Sequence, residues 1–419
     1  MNRSSLSGAI IALLTVVPAF ADDGANGIDL QLEEAQRLAV SQQPLLAAQT
    51  QAVKAARENA VAAAQLPDPK LAVGVTDWPI NGADRYSLRR DEFTMVTIGV
   101  MQDFPRALKR RLRGQRGEHE AELQQQMLDA TRLAICRDAG IAWLDVWKPE
   151  QSLKLVLAAA HEAELQKQVT QTAYTTGRVT QAEVLAAKVA LALLRDEVTD
   201  VEQQDQDARD QLARWIGAEA SQLPSSSELP QWQRPAPLAE MLTRLRTHPH
   251  LNTEVARVAI TGDDVALAKQ AYKPDWSVEL SYGYRPDFAD YVSLNFTVDL
   301  PVFTAKRQDR SLGAKLAEQE QARQASDDVL RQHEAELRRH WEDWQRLQDR
   351  LRQFDTNILP QSEQRIAAAL ASWRTGQGTL LGVLDARRIA LENQIKRLAL
   401  EADAAKHRVH LEYFSGERP

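Results

Sequence analysis

The sequence predicts a mainly α protein with a smaller β portion, built from one helix–hairpin–helix–helix unit used twice. Three observations carry this. First, YTTGRVTQAEVLAAK at Tyr174–Lys188 returns as WRTGQGTLLGVLDAR at Trp373–Arg387, an offset of 199 residues. Second, long stretches poor in Gly and Pro carry Ala- and Leu-rich stripes at helical spacing. Third, each copy places a pair of short strand-like segments, three of the four with period-two alternation, ahead of its longest helical stretch.

The duplication extends well beyond the two quoted lines. Thr176, Gly177, Thr180, Val184, Leu185 and Ala187 recur as Thr375, Gly376, Thr379, Val383, Leu384 and Ala386. Pro44 and Pro69 answer to Pro249 and Pro274, and Asp103–Pro105 to Asp299–Pro301. So long a period excludes a solenoid and indicates two large copies lying side by side. The first copy is placed at residues 44–217, with strands at about 70–78 and 93–103. The second is placed at 249–416, with strands at about 275–285 and 291–300. A Ser- and Pro-rich linker occupies 218–248, and a short N-terminal segment, 22–43, precedes the first copy.

Bulk properties narrow the class. The net charge of −7 argues against a nucleic-acid partner. The single cysteine, Cys136, forms no internal disulfide and falls in a helical stretch, where a packed thiol is expected. Residues 1–21 read as a secretory signal peptide. Arg3 supplies the positive end, Ala9–Val17 an apolar run too short to span a bilayer, and Ala19–Ala21 a small-x-small cleavage pattern. No later segment has eighteen consecutive apolar residues.

In chain order, residues 28–43 form a short amphipathic helix, and Pro44 opens a second that runs to about Leu66 and stops at Pro67–Pro69. A long helix follows from about 106 to 173, breaks at Gly177 and resumes to about Trp215. The second copy gives helices at 249–272, about 303–372 and about 378–414. At 1.5 Å per residue a long helix reaches roughly 100 Å, about the summed reach of two shorter ones laid end to end, which suits a tube of fixed length. Pro149 and Pro360 are expected to kink or break their helices. Helices of this length require a buried apolar stripe, and the helices alone would equally suit a soluble bundle or adaptor.

The strands separate these readings. Trp276, Val278, Leu280, Tyr282 and Tyr284 share one face, and Val292, Leu294, Phe296, Val298 and Leu300 share the next. Leu71, Val73 and Val75 repeat the pattern, whereas Phe93–Asp103 is apolar on both faces. Such strands, with aromatics near their ends, are the signature of a membrane β-barrel. A half-buried hairpin resting on a helix is the alternative. Four strands cannot close a barrel, and open edges are not tolerated in hydrocarbon. In a membrane, several chains would share one barrel; three chains would supply twelve strands.

The layout resembles the outer membrane factors, of which TolC is the type, over essentially the whole chain after the signal peptide. The two Thr-Gly motifs carry the likeness, together with Gln65–Leu71 (QLPDPKL) and Phe93–Arg111 (FTMVTIGVMQDFPRALKRR), which are similar to the CzcC-type heavy-metal efflux branch. The resemblance implies a homotrimer with a twelve-stranded outer-membrane barrel on a long periplasmic α-barrel. It implies partners too: a periplasmic adaptor (membrane fusion protein), an RND-type inner-membrane pump and outer-membrane lipid. The cargo it implies is heavy-metal cations, with drug efflux or type I secretion as the alternative within the class. Asp22 stands after the cleavage site where relatives of the copper-efflux branch carry a lipidated cysteine, so no lipid anchor is expected.

Both Thr-Gly motifs sit where a long helix reverses. Gly177 and Gly376 suit the left-handed turn, and Thr180 and Thr379 are placed to cap the outgoing helices. By the resemblance these tips, with Arg178 and Gln377, meet the adaptor. Asp385 matches the family's pore-gate carboxylate. A second family carboxylate three residues earlier is Gly382 here, and Glu183 holds that position in the first copy as a further source of charge. A ring of three Asp385 side chains would favour cations; the alternative is a surface carboxylate paired with Arg387 or Arg388. The pairs His248/His250 and His407/His410 lack a third ligand and read as surface histidines, so no metal site is expected. The basic run Arg106–Arg116 lies just below a strand, where it faces anionic membrane surface or solvent. No nucleophile elbow, phosphate loop or acid–base carboxylate pair is present, so no enzyme activity, catalytic residue or cofactor is expected.

Overall fold

A computed structural model describes residues 29–416; the signal-peptide reading lies outside them. The chain runs α1 (Leu32–Gln42), α2 (Pro44–Ala63), β1 (Lys70–Thr76), β2 (Met95–Phe104), α3 (Ala107–Thr175) and α4 (Gln181–Ile216). A linker holding the short helix α5 (Leu238–Leu245) follows. The second copy then gives α6 (Pro249–Gln270), β3 (Trp276–Tyr284), β4 (Tyr291–Val298), α7 (Gln308–Gln353), α8 (Leu359–Arg374) and α9 (Leu380–Ser415).

The longest helix, α3, has 69 residues and so spans about 104 Å. It packs along α2, α4, α6 and α9, which bury its apolar stripe from several sides. At its start the approach to α2 is very close. A Cβ on Gly117 would lie 2.6 Å from the Ala60 Cα, so only glycine fits there.

The two prolines behave differently. Pro149 does not break α3, which runs as one helix from Ala107 to Thr175; the proline is buried in the turn after Trp143 and Trp147. Pro360 is preceded by a π-helical turn, Phe354–Ile358, which separates α7 from α8. Widening the helix here relieves the clash between the proline ring and the carbonyl four residues back.

The four strands form one antiparallel sheet in the order β1-β2-β3-β4, with the two copies joined at β2–β3, where Phe104 pairs with Trp276. β1 and β4 are both edges. Leu71, Val73, Leu294 and Phe296 are each more than half exposed on this sheet. Among the described residues, most of the apolar faces read from the alternation are left uncovered by the rest of the chain.

The best-buried layer is midway along the helical body. Trp143 is fully buried there among Leu32, Leu212, Ile216 and Val409, and its indole N–H donates to the Leu30 carbonyl at 2.9 Å. Residues 220–226 are strapped onto this layer. Arg209 donates to the carbonyls of Ser221 (2.9 Å) and Leu223 (3.0 Å) and pairs with Glu150, whose other oxygen accepts from the Ser225 N–H at 2.9 Å.

Candidate functional site: the paired tips and the Asp385 layer

The two helix reversals are built alike. Gly177 (φ 69°) and Gly376 (φ 76°) take the left-handed conformation that other residues adopt only with strain. In the first tip, Gly177 N–H donates to Tyr174 O (3.0 Å) and Arg178 N–H to Ala173 O (2.9 Å). In the second, Gly376 N–H donates to Trp373 O (3.0 Å) and Gln377 N–H to Ser372 O (2.9 Å). These are Schellman-type helix ends, repeated bond for bond across the duplication.

The outgoing helices start with threonine caps. Thr180 Oγ1 accepts from the Glu183 N–H, and the Glu183 carboxylate accepts from the Thr180 N–H at 2.8 Å, closing a capping box. Those bonds hold the Glu183 carboxyl below its ordinary range. Thr379 Oγ1 likewise accepts from the Gly382 N–H at 3.2 Å, but Gly382 has no side chain with which to return a bond. The Glu183 carboxylate thus serves its own cap and also meets the Leu380 backbone at the start of α9.

Asp385 lies on α9 beyond this cap. Its carboxylate accepts from Arg365 of α8 at 2.7 Å and from Arg388 at 3.2 Å, and it stays 41% exposed. Arg387, a partner considered from the sequence, instead pairs with Glu162 of α3 at 3.3 Å and so ties the two helical hairpins together. Further along the second hairpin, Arg397 bridges Asp355 of the π turn (2.7 Å) and Glu401 (2.6 Å). In the first hairpin, Arg195 reaches Glu164 at 3.3 Å.

Sequence reading missed Arg365, Asp355 and Glu162. A signal for the first two existed. Residues 365 and 385 lie ten positions either side of 375, and residues 355 and 397 lie twenty-one either side of 376. In an antiparallel helical hairpin, residues equidistant from the turn face each other.

The histidines are the main correction. His248 is buried and His250, His407 and His410 are half-buried between helices rather than exposed. His248 and His250 pack against His333 of α7, the last two rings stacked at 4.8 Å. His407 and His410 pack on His340, with the Nδ1 atoms of His340 and His407 2.9 Å apart. Phe414 stands between the groups, touching both His333 and His340. Burial pushes His248 and His410 down to about 4 and His340 to about 3. Among the described residues no three His, Cys, Asp or Glu side chains converge on a metal position. Cys136 is buried, which raises its thiol pKa.

Comparison with known proteins sets this geometry in a class. No protein-family model matches the sequence. The chain is 27% identical over 237 residues to the pyoverdine export outer membrane protein OpmQ of Pseudomonas putida; the match spans 54% of this chain and half of that relative's length. The outer membrane protein VceC of Vibrio cholerae superposes with a TM-score of 0.76 at 20% identity, covering 92% of this chain and 96% of its own. The CmeC outer membrane channel of Campylobacter jejuni superposes at 0.77 with 12% identity, covering 99% and 93%. The fold is therefore that of the TolC-like outer-membrane channels: a helical barrel portion with a small sheet. The likenesses are to an outer-membrane export protein and to outer-membrane proteins of this fold, and none is to the CzcC-type branch.

Proposed function

We propose that the chain is an outer-membrane duct of a tripartite efflux system, acting as a homotrimer with no catalytic role. The observation that carries this is the four-stranded sheet, apolar and exposed, with both edges unpaired, at one end of a helical body about 100 Å long. Each unpaired edge presents a row of backbone groups that hydrocarbon cannot satisfy. Three copies joined β4 to β1 would seal twelve strands into one barrel, within the range of outer-membrane barrels. The helices would continue as a periplasmic tube ending in the paired tips. There Gly177, Arg178, Thr180, Gly376, Gln377 and Thr379 would meet the hairpin of a periplasmic adaptor bound to an inner-membrane RND-type pump.

In this assembly Asp385 is the gate residue. Three copies form a carboxylate ring held in register by Arg365 and Arg388, whose charges offset part of the cation preference such a ring would have alone. The resemblance of Gln65–Leu71 and Phe93–Arg111 to the CzcC-type branch is what points to heavy-metal cations as cargo. The OpmQ match supports a second reading, export of an organic product, since that relative is named for pyoverdine export.

Fractionation tests the proposal. The chain is expected in the outer membrane, with gel mobility that shifts on heating as closed barrels do. Recovery in the soluble periplasmic fraction would sink the duct reading. Metal sensitivity of a deletion strain separates the two cargoes.

A further inference from the structure

Below the sheet, Asp103–Pro105 and Asp299–Pro301 correspond at an offset of 196, and the same offset carries Arg110–Arg111 onto Lys306–Arg307. One dibasic pair thus recurs at the same place in both copies.

The pairs lie in one layer. Asp275, just ahead of β3, accepts from the Arg106 N–H at 3.1 Å and from Lys109 at 2.6 Å, and its carbonyl accepts from the Asp299 N–H at 2.9 Å. Lys109 also reaches the Lys273 carbonyl at 3.3 Å, while neighbouring Tyr272 donates to Asp309 at 2.7 Å. The start of α3 and the start of α7 therefore flank the same turn, at the helical end of the sheet.

This layer is basic in an acidic protein. Residues 68–70, 103–113, 273–275 and 299–310 hold ten Lys and Arg against five Asp, whereas the whole chain carries −7. Lys70 is neutralised by Asp103 and Lys109 by Asp275. Among the described residues, Arg110, Arg111, Lys306 and Arg307 join no ion pair. All but the half-buried Arg110 are exposed. Immediately above the second pair stand Leu300, Val302 and Phe303, the last 81% exposed; above the first stands exposed Leu108. Apolar side chains followed by unpaired cations match the order of acyl chain and phosphate at a bilayer surface.

We infer that Arg110, Arg111, Lys306 and Arg307 form a collar that binds anionic phospholipid headgroups, of the phosphatidylglycerol class, in the leaflet facing the helical body. This rests on the outer-membrane reading above. Six such pairs would ring a trimer, and the attraction would weaken with salt.

The test reconstitutes the purified full chain in lipid discs of phosphatidylethanolamine doped with phosphatidylglycerol, and native mass spectrometry counts the lipids retained. Wild type should retain phosphatidylglycerol preferentially. High salt, or the combined changes Arg110→Gln, Arg111→Gln, Lys306→Gln and Arg307→Gln, should reduce that preference about tenfold. The charge-preserving pair Arg110→Lys and Arg111→Lys should keep it. A heat-shifted band for every variant certifies insertion; a chain that fails to insert even as wild type refutes the duct reading itself. Inserted wild type without the preference, a glutamine variant that keeps it, or retention of lipid A alone would overturn the collar.

Discussion

Gly382 occupies the position that Glu183 holds in the first copy. Glu183 closes a capping box with Thr180, whereas Thr379 caps α9 without a return bond. The start of α9, which carries Asp385, is thus held by one side-chain bond where its counterpart has two. The substitution Gly382→Glu should supply the missing bond and stabilise the helix start by about 1 kcal/mol, since glycine also costs helix stability. It also adds a carboxylate near Asp385, while Asp385→Ala removes one and frees Arg365 and Arg388. In planar bilayers Asp385→Ala should lower cation preference or raise conductance, and Gly382→Glu should shift cation preference the other way. Unaltered single-channel behaviour in both variants would remove Asp385 from the gate.

At the level of elements, the histidine layer joins the lead into α6, the middle of α7 and the end of α9. Its histidines make it an acid-sensitive junction. His248, His340 and His410 are held neutral chiefly by burial, with neighbouring histidines adding to the effect at all three. The charged groups around them are Arg137 from α3, Glu336, Arg339, Asp343 and Arg346 from α7, and Asp403 from α9. The cations Arg137 and Arg339 oppose protonation, while Glu336, Asp343 and Asp403 only partly offset them. The Nδ1 atoms of His340 and His407, 2.9 Å apart, cannot both carry a proton. Unfolded, these side chains take up protons near 6.5. Below that pH the unfolded chain binds more protons than the folded one, so stability is full above about pH 7 and falls as pH drops from about 6.5 toward 4. Thermal unfolding followed across this range should show the decline, and His340→Phe should flatten it. A melting temperature independent of pH between 7 and 5 would contradict the account.

At the scale of the whole molecule, closure of the sheet is the central issue. β1 and β4 each present one unpaired side, and within the described residues no segment covers either. A single chain with this sheet is incomplete in hydrocarbon, since every open backbone group costs free energy there. The purified protein in detergent is expected at three times the mass of its processed protomer by light scattering. A monomer would leave the sheet unsealed and count against the barrel.

The sequence by itself determined what depends on near neighbours along the chain. The alternation in Trp276–Tyr284 and Tyr291–Val298, the left-handed Gly177 and Gly376, and the caps at Thr180 and Thr379 are all matters of local chemistry. The duplication made each more legible by stating it twice. Only the tertiary structure decided what depends on distant segments meeting. It set Arg365 on Asp385 and Arg387 on Glu162, gathered six histidines from three parts of the chain, and kept α3 whole through Pro149. The physical reason is range. Backbone conformation and capping are settled within a turn or two, whereas burial and ion pairing follow from the register in which long helices pack, which no local pattern encodes.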